Sequence, residues 1–142
     1  MKRLWMAVVL AGCAGAVDDK ETTDTDTVET DVGAPTFAAD VQPIFAQSCA
    51  SGGCHGGPEA LTGLDLSPSV AYDQLVGAPS FQVPTLNLVT AGDPDQSYLM
   101  NKLLGSAEDV GGAGDIMPPG FGLGPADIEV VRAWIAAGAP NN

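Results

Sequence analysis

The chain holds one histidine, and it sits directly behind a cysteine in Cys49-Ala50-Ser51-Gly52-Gly53-Cys54-His55. Two thiols and an imidazole confined to so short a stretch restrict the fold around them. The backbone must turn sharply for the three side chains to serve one partner. Gly52 and Gly53 suit such a turn, because glycine accepts positive φ at little steric cost. The segment before them reads as a helix over Asp40–Ser48. Asp40 is its expected N-cap, Pro43 falls in its first turn, and Val41, Ile44, Phe45 and Cys49 share one face. The domain must therefore bury the apolar side of a helix that ends on the first thiol.

Thiols at this spacing have several uses. Two cysteines followed by histidine can hold a haem, with thioethers to its vinyl edges and the imidazole reaching the iron, and the usual attachment pattern is C-x-x-C-H. Here four residues separate the cysteines. The two additional residues must bulge outward, and the glycine pair is where such a bulge fits. About sixty residues later Met117-Pro118-Pro119-Gly120 offers a thioether, a common axial ligand of such an iron. The prolines restrict the backbone and lower the entropy lost on fixing that ligand. Met100 is the competing thioether, but it falls inside an amphipathic segment and reads as core. The alternative is a Cys49–Cys54 disulfide in a haem-free structural or binding module, for which Met117 is not needed. Zinc would require an acidic ligand beside two cysteines and one histidine.

The remaining elements are short and helical. Ser67 and Pro68 open an expected helix over Pro68–Val76, with Val70, Leu75 and Val76 facing inward. A brief extended segment is expected at Leu86–Thr90. A third helix is expected over Asp95–Leu104, with Leu99, Met100 and Leu103 inward and Gly105 as its stop. Ser106–Asp115 reads as a Gly- and acid-rich loop leading into Met117. The last helix is the most clearly marked. Pro125 follows Gly124, Asp127 and Glu129 lie in the first turn, and Ile128, Val131, Trp134 and Ile135 make a stripe closed by Gly138 and Pro140.

In order along the chain come Val41-Gln42-Pro43-Ile44-Phe45, the Cys/His segment, Gly92-Asp93-Pro94 with Ser97-Tyr98-Leu99, Met117-Pro118-Pro119, and Ile128 through Trp134-Ile135 to Gly138-Ala139. This series resembles the monohaem cytochrome c-like domain of exported bacterial lipoproteins. The resemblance implies an all-α fold of about four short helices around one covalent haem c, with the N- and C-terminal helices packed together. It implies thioethers at Cys49 and Cys54, His55 as the proximal and Met117 as the distal ligand. Phe45, Phe81, Tyr98, Phe121 and Trp134 become candidate haem-lining residues, although Trp134 at helical spacing also reads as plain core. With both axial positions filled, the implied role is outer-sphere electron transfer between a redox donor and acceptor.

Residues 1–12 fit a signal peptide: Lys2 and Arg3 precede an apolar run too short to span a bilayer. Leu10-Ala11-Gly12-Cys13 resembles the bacterial lipobox, which implies lipid on Cys13 and attachment to the cell envelope facing the periplasm or cell surface. Ala14 resembles the residue found in lipoproteins bound for the outer membrane. Residues 13–35 carry seven carboxylates and little to bury, and read as a disordered tether. An acidic docking or calcium-binding segment is the other reading, but the calcium-loop pattern is absent. The folded domain is expected over residues 36–142.

Across 142 residues the formal charge is −13, and from Thr36 onward eleven carboxylates face only Lys102 and Arg132. Nucleic acid is a poor partner for such a surface. A basic protein partner, or simple solubility, fits it. No enzyme is expected, since any Ser/His/Asp set would have to form around His55 alone.

Overall fold

The computed structural model describes residues 33–50 and 53–142, so the signal segment, Cys13 and the tether up to residue 32 lie outside the described residues. The described chain is mostly helical and forms no strand, an all-α architecture. A π-helical turn, Phe37–Val41, runs into α1, Gln42–Ser48. Helix α2 covers Ala71–Leu75, α3 covers Tyr98–Leu104, and α4 covers Pro125–Ala136. None of the described helices is long and apolar enough to cross a membrane.

The first helical segment begins a turn earlier than the sequence suggests. Thr36, not Asp40, is the cap, and its hydroxyl accepts from the Ala39 N–H. Asp40 reaches back instead, its Oδ2 accepting from Thr36 N at 2.7 Å and from Thr36 Oγ1 at 2.9 Å. These bonds hold the Asp40 carboxyl below its usual pKa. The pair is a reciprocal cap stretched by one residue to fit the wider π turn.

Helix α2 is shorter than expected because the Ser67 hydroxyl is used elsewhere, accepting from Gly57 N at 3.0 Å. Val70 accordingly lies outside helical geometry. The third expected helix breaks at Ser97, which is extended and fully buried. Ser97 Oγ donates to Asp93 O at 2.8 Å and accepts from Thr90 N at 2.9 Å. A short 3-10 turn at Pro94–Gln96 precedes it. Leu86–Thr90 contributes isolated bridges, Asn87 to Pro79 and Ser97 and Val89 to Val76, rather than a strand.

The core joins the first and last helices. Val41, Phe45, Leu75, Val89, Leu103, Val131, Trp134 and Ile135 have no more than 1 % of their surface exposed. Phe37 meets Trp134 with ring centroids 5.2 Å apart and Tyr72 at 5.3 Å edge-on. Such pairs contribute about 0.5–1.5 kcal/mol each beyond simple burial. Met100 belongs to this core, as its helical position predicts.

Candidate functional site

Helix α1 delivers Cys49 at its C-terminal end, where Cys49 N donates to Phe45 O at 2.9 Å. The thiol is half-buried against the main core. Burial, and secondarily the charge of Cys54, push its pKa up to about 11. Both effects act in the same direction, because each disfavours the charged thiolate. Cys49 and Cys54 are both free thiols.

The chain then folds back, with His55 N donating to Cys49 O at 3.0 Å. Gly53, at φ +79°, takes a left-handed conformation that glycine accepts at little steric cost, while Ser51 and Gly52 lie outside the described residues. Gly56 is demanded by space: a Cβ there would run into the Ala50 carbonyl.

His55 is held at both its ring and its backbone. Its Nδ1 lies 3.1 Å from Leu64 O, and its carbonyl accepts from Leu66 N at 2.7 Å. A carbonyl can only accept, so this contact assigns a proton to Nδ1 and leaves Nε2 as the nitrogen available to a ligand. This is the tautomer a ligating histidine uses. Between the two anchoring residues, Asp65 Oδ1 accepts from Gly57 N and Ser67 N, each at 2.9 Å. Bonds from the Ser67 hydroxyl and backbone, then from Gly57, hold the Asp65 carboxyl below its usual pKa. Gln42 ties this brace to α1, its Nε2 donating to Leu66 O at 2.9 Å.

Met117 is half-buried on a separate loop. Its N–H donates to Lys102 O at 2.9 Å, and the turn beyond it closes through Gly122 N to Pro118 O at 2.9 Å. The Lys102 ammonium donates to Ala113 O at 3.0 Å and Asp115 O at 2.8 Å. Gln82 Oε1 accepts from Ala113 N at 3.3 Å and from the Tyr98 hydroxyl.

The structure thus gathers Cys49, Cys54 and His55 into one folded loop. Met117 stands on another, and no hydrogen bond among the described residues joins the two. Cys49 packs against the core that holds Phe45, and α3, which carries Lys102, adds Met100 and Leu103 to that core. Among the described residues no three His, Cys, Asp or Glu side chains group to hold a metal ion. Of the five aromatic candidates, Phe45 and Trp134 lie wholly in the core and Tyr98 in a smaller cluster with Val83 and Ala107. Phe81 and Phe121 are 94 % and 81 % exposed. A shallow cleft of about 260 Å³ lies elsewhere, between the first helix and α2, beside Phe37, Gln42, Tyr72 and Asp73.

Sequence reasoning missed the groups that orient the candidates. Leu64 acts through its carbonyl, which no side-chain pattern reveals. Asp65 and Lys102 were visible only as charges. Asp65-Leu66-Ser67 does carry the signature of a short acceptor turn, and that signal was available. Comparison of the chain with protein-family models, curated proteins and solved structures finds no match.

Proposed function

We propose that the domain is a monohaem c-type electron carrier. Cys49 and Cys54 form the thioethers, His55 is the proximal ligand and Met117 the distal one. One observation carries the reading: a backbone acceptor fixes His55 with Nε2 free, in the loop that also holds two free thiols. Bound haem supplies a one-electron ferrous/ferric couple, whose potential a His/Met pair raises.

The chain's own residues supply the rest. Leu64 O fixes the imidazole tautomer, and the Asp65 turn stiffens the segment carrying it. Pro118 and Pro119 limit the motion of Met117. Each ligand-bearing loop also exposes a large apolar side chain. Leu61, 61 % exposed, donates its N–H to Cys54 O at 2.7 Å, and Phe121 lies in the turn closed by Pro118 and Gly122. A bound apolar group that covered such side chains would contribute about 25 cal/mol per Å² of apolar surface removed from water. The protonated state of Cys49 at neutral pH speaks against thiolate chemistry there.

The carrier is held at the cell envelope by lipid on Cys13 and exchanges electrons with separate redox proteins. Its acidic surface favours partners with basic faces. The test is the visible spectrum of the full chain, matured in a host that attaches haem c. A sharp reduced α band that survives denaturation is expected. Its absence, with a Cys49–Cys54 disulfide found by mass, would establish the haem-free module instead. Cys13→Ser should move the protein from the membrane fraction to the soluble one.

A further inference from the structure

We infer that Lys102 is the positioning residue for Met117, and that its ammonium holds the Met117 loop in presenting geometry. The inference rests on Met117 being the distal ligand, although the clamp itself is a property of the chain. Lys102 acts at three points on one loop. Its carbonyl accepts from Met117 N at 2.9 Å, and its Nζ donates to Ala113 O and Asp115 O at 3.0 and 2.8 Å. The residue therefore grips both the approach to Met117 and Met117 itself.

Charge accounting sharpens the point. Lys102 and Arg132 are the only Lys or Arg side chains from Thr36 onward, among eleven carboxylates. Arg132 takes acidic partners, Asp95 at 3.5 Å and Glu129 at 4.0 Å. Lys102 bonds two main-chain carbonyls instead. A last-turn cation ordinarily interacts with the end of its own helix. Here it sits in the last turn of α3 and reaches out to the neighbouring loop. Hydrogen bonds from a charged donor are among the stronger ones in a protein, and two of them fix a Gly-rich segment with few other restraints. Between Gly111 and Ile116 the described residues make one other hydrogen bond to a side chain, from Ala113 N to Gln82 Oε1.

The experiment compares Lys102→Met, Lys102→Arg and Arg132→Met in the full chain, expressed in a host that attaches haem c. Amide exchange of Met117 and the spectroscopic signature of methionine ligation are the readouts. Lys102→Met keeps the aliphatic stem and loses the donor, so exchange at Met117 should quicken about ten-fold or more, while Trp134 and Ile135 keep their protection. The methionine signature should weaken in parallel. Lys102→Arg retains a cationic donor and should stay within about three-fold of the parent. Arg132→Met removes the same charge without touching the loop and should leave Met117 unchanged.

The proposal is overturned if both cation-removing variants act alike, if Lys102→Arg behaves like Lys102→Met, or if core protection falls together with the loop. Faster exchange at Met117 with no covalent pigment in the parent would uphold the clamp and reject the carrier reading. The two failures are therefore distinguishable.

Discussion

The His55 loop and the Met117 loop are both irregular backbone, yet groups of opposite charge hold them. Around His55 the carboxylate of Asp65 collects N–H donors from Gly57 and Ser67. Before Met117 the ammonium of Lys102 collects carbonyls from Ala113 and Asp115. The first loop is packed so closely that Gly56 has no room for a Cβ beside Ala50. The second leaves Asp115, Pro119, Gly120 and Phe121 exposed. An irregular loop without a backbone ladder can be fixed by one charged side chain that answers several like-oriented main-chain groups. The His55 loop adds steric closure to this device, and the Met117 loop adds prolines.

This contrast can be broken by substitution. The largest effect is expected from Cys49→Ser combined with Cys54→Ser, which should abolish covalent pigment on a denaturing gel. Met117→Ala comes next: pigment should remain attached, with a lower reduction potential and no methionine signature. If Met117→Ala leaves both unchanged, the second loop is not a ligand loop.

Gly56→Ala should lower stability by about 2–4 kcal/mol in denaturant titration, because a backbone carbonyl must move to admit the methyl group. A smaller and pH-dependent effect is expected from Asp65→Asn. The folded-state pKa of Asp65 is depressed, so its stabilisation is present above the unfolded carboxyl value of about 3.9 and is lost as pH falls through the lower folded value. The asparagine variant can still accept the same N–H bonds. It should be less stable at neutral pH and lose less on acidification. Phe81→Ser, at a side chain 94 % exposed, should change stability by no more than about 0.5 kcal/mol.

Much of this architecture was legible from residue order. Gly124-Pro125 and the stripe through Val131, Trp134 and Ile135 placed α4 closely, since proline geometry and helical periodicity agree there. Met100 was separable from Met117 because one lies at a core position of a helix and the other before two prolines. The errors have local causes. Thr36 was overlooked as a cap because its partner stands four residues on, where a π turn puts it. Ser67 looked like a helix cap, but its hydroxyl serves Gly57. Ser97 interrupts a periodic segment because its hydroxyl bonds backbone groups on both sides. In each case one polar side chain chose a long-range or unusual partner over the nearest one. The grouping of Cys49, Cys54 and His55 was legible from spacing, whereas the Leu64 carbonyl that selects the imidazole tautomer was not.

The far end of the sequence returns to the start of the described domain. Asn142 accepts from Phe37 N through Oδ1 at 3.0 Å and from Ala38 N through its carbonyl at 2.8 Å, while Tyr72 donates to Ala139 O and Trp134 to Pro140 O. Phe37 and Asn142 are 105 positions apart. During synthesis the opening helix must therefore wait for nearly the whole domain to emerge before this clasp can close. Asn142→Ala, which removes the acceptor of the Phe37 N–H, would loosen the first helical turn before the rest of the domain.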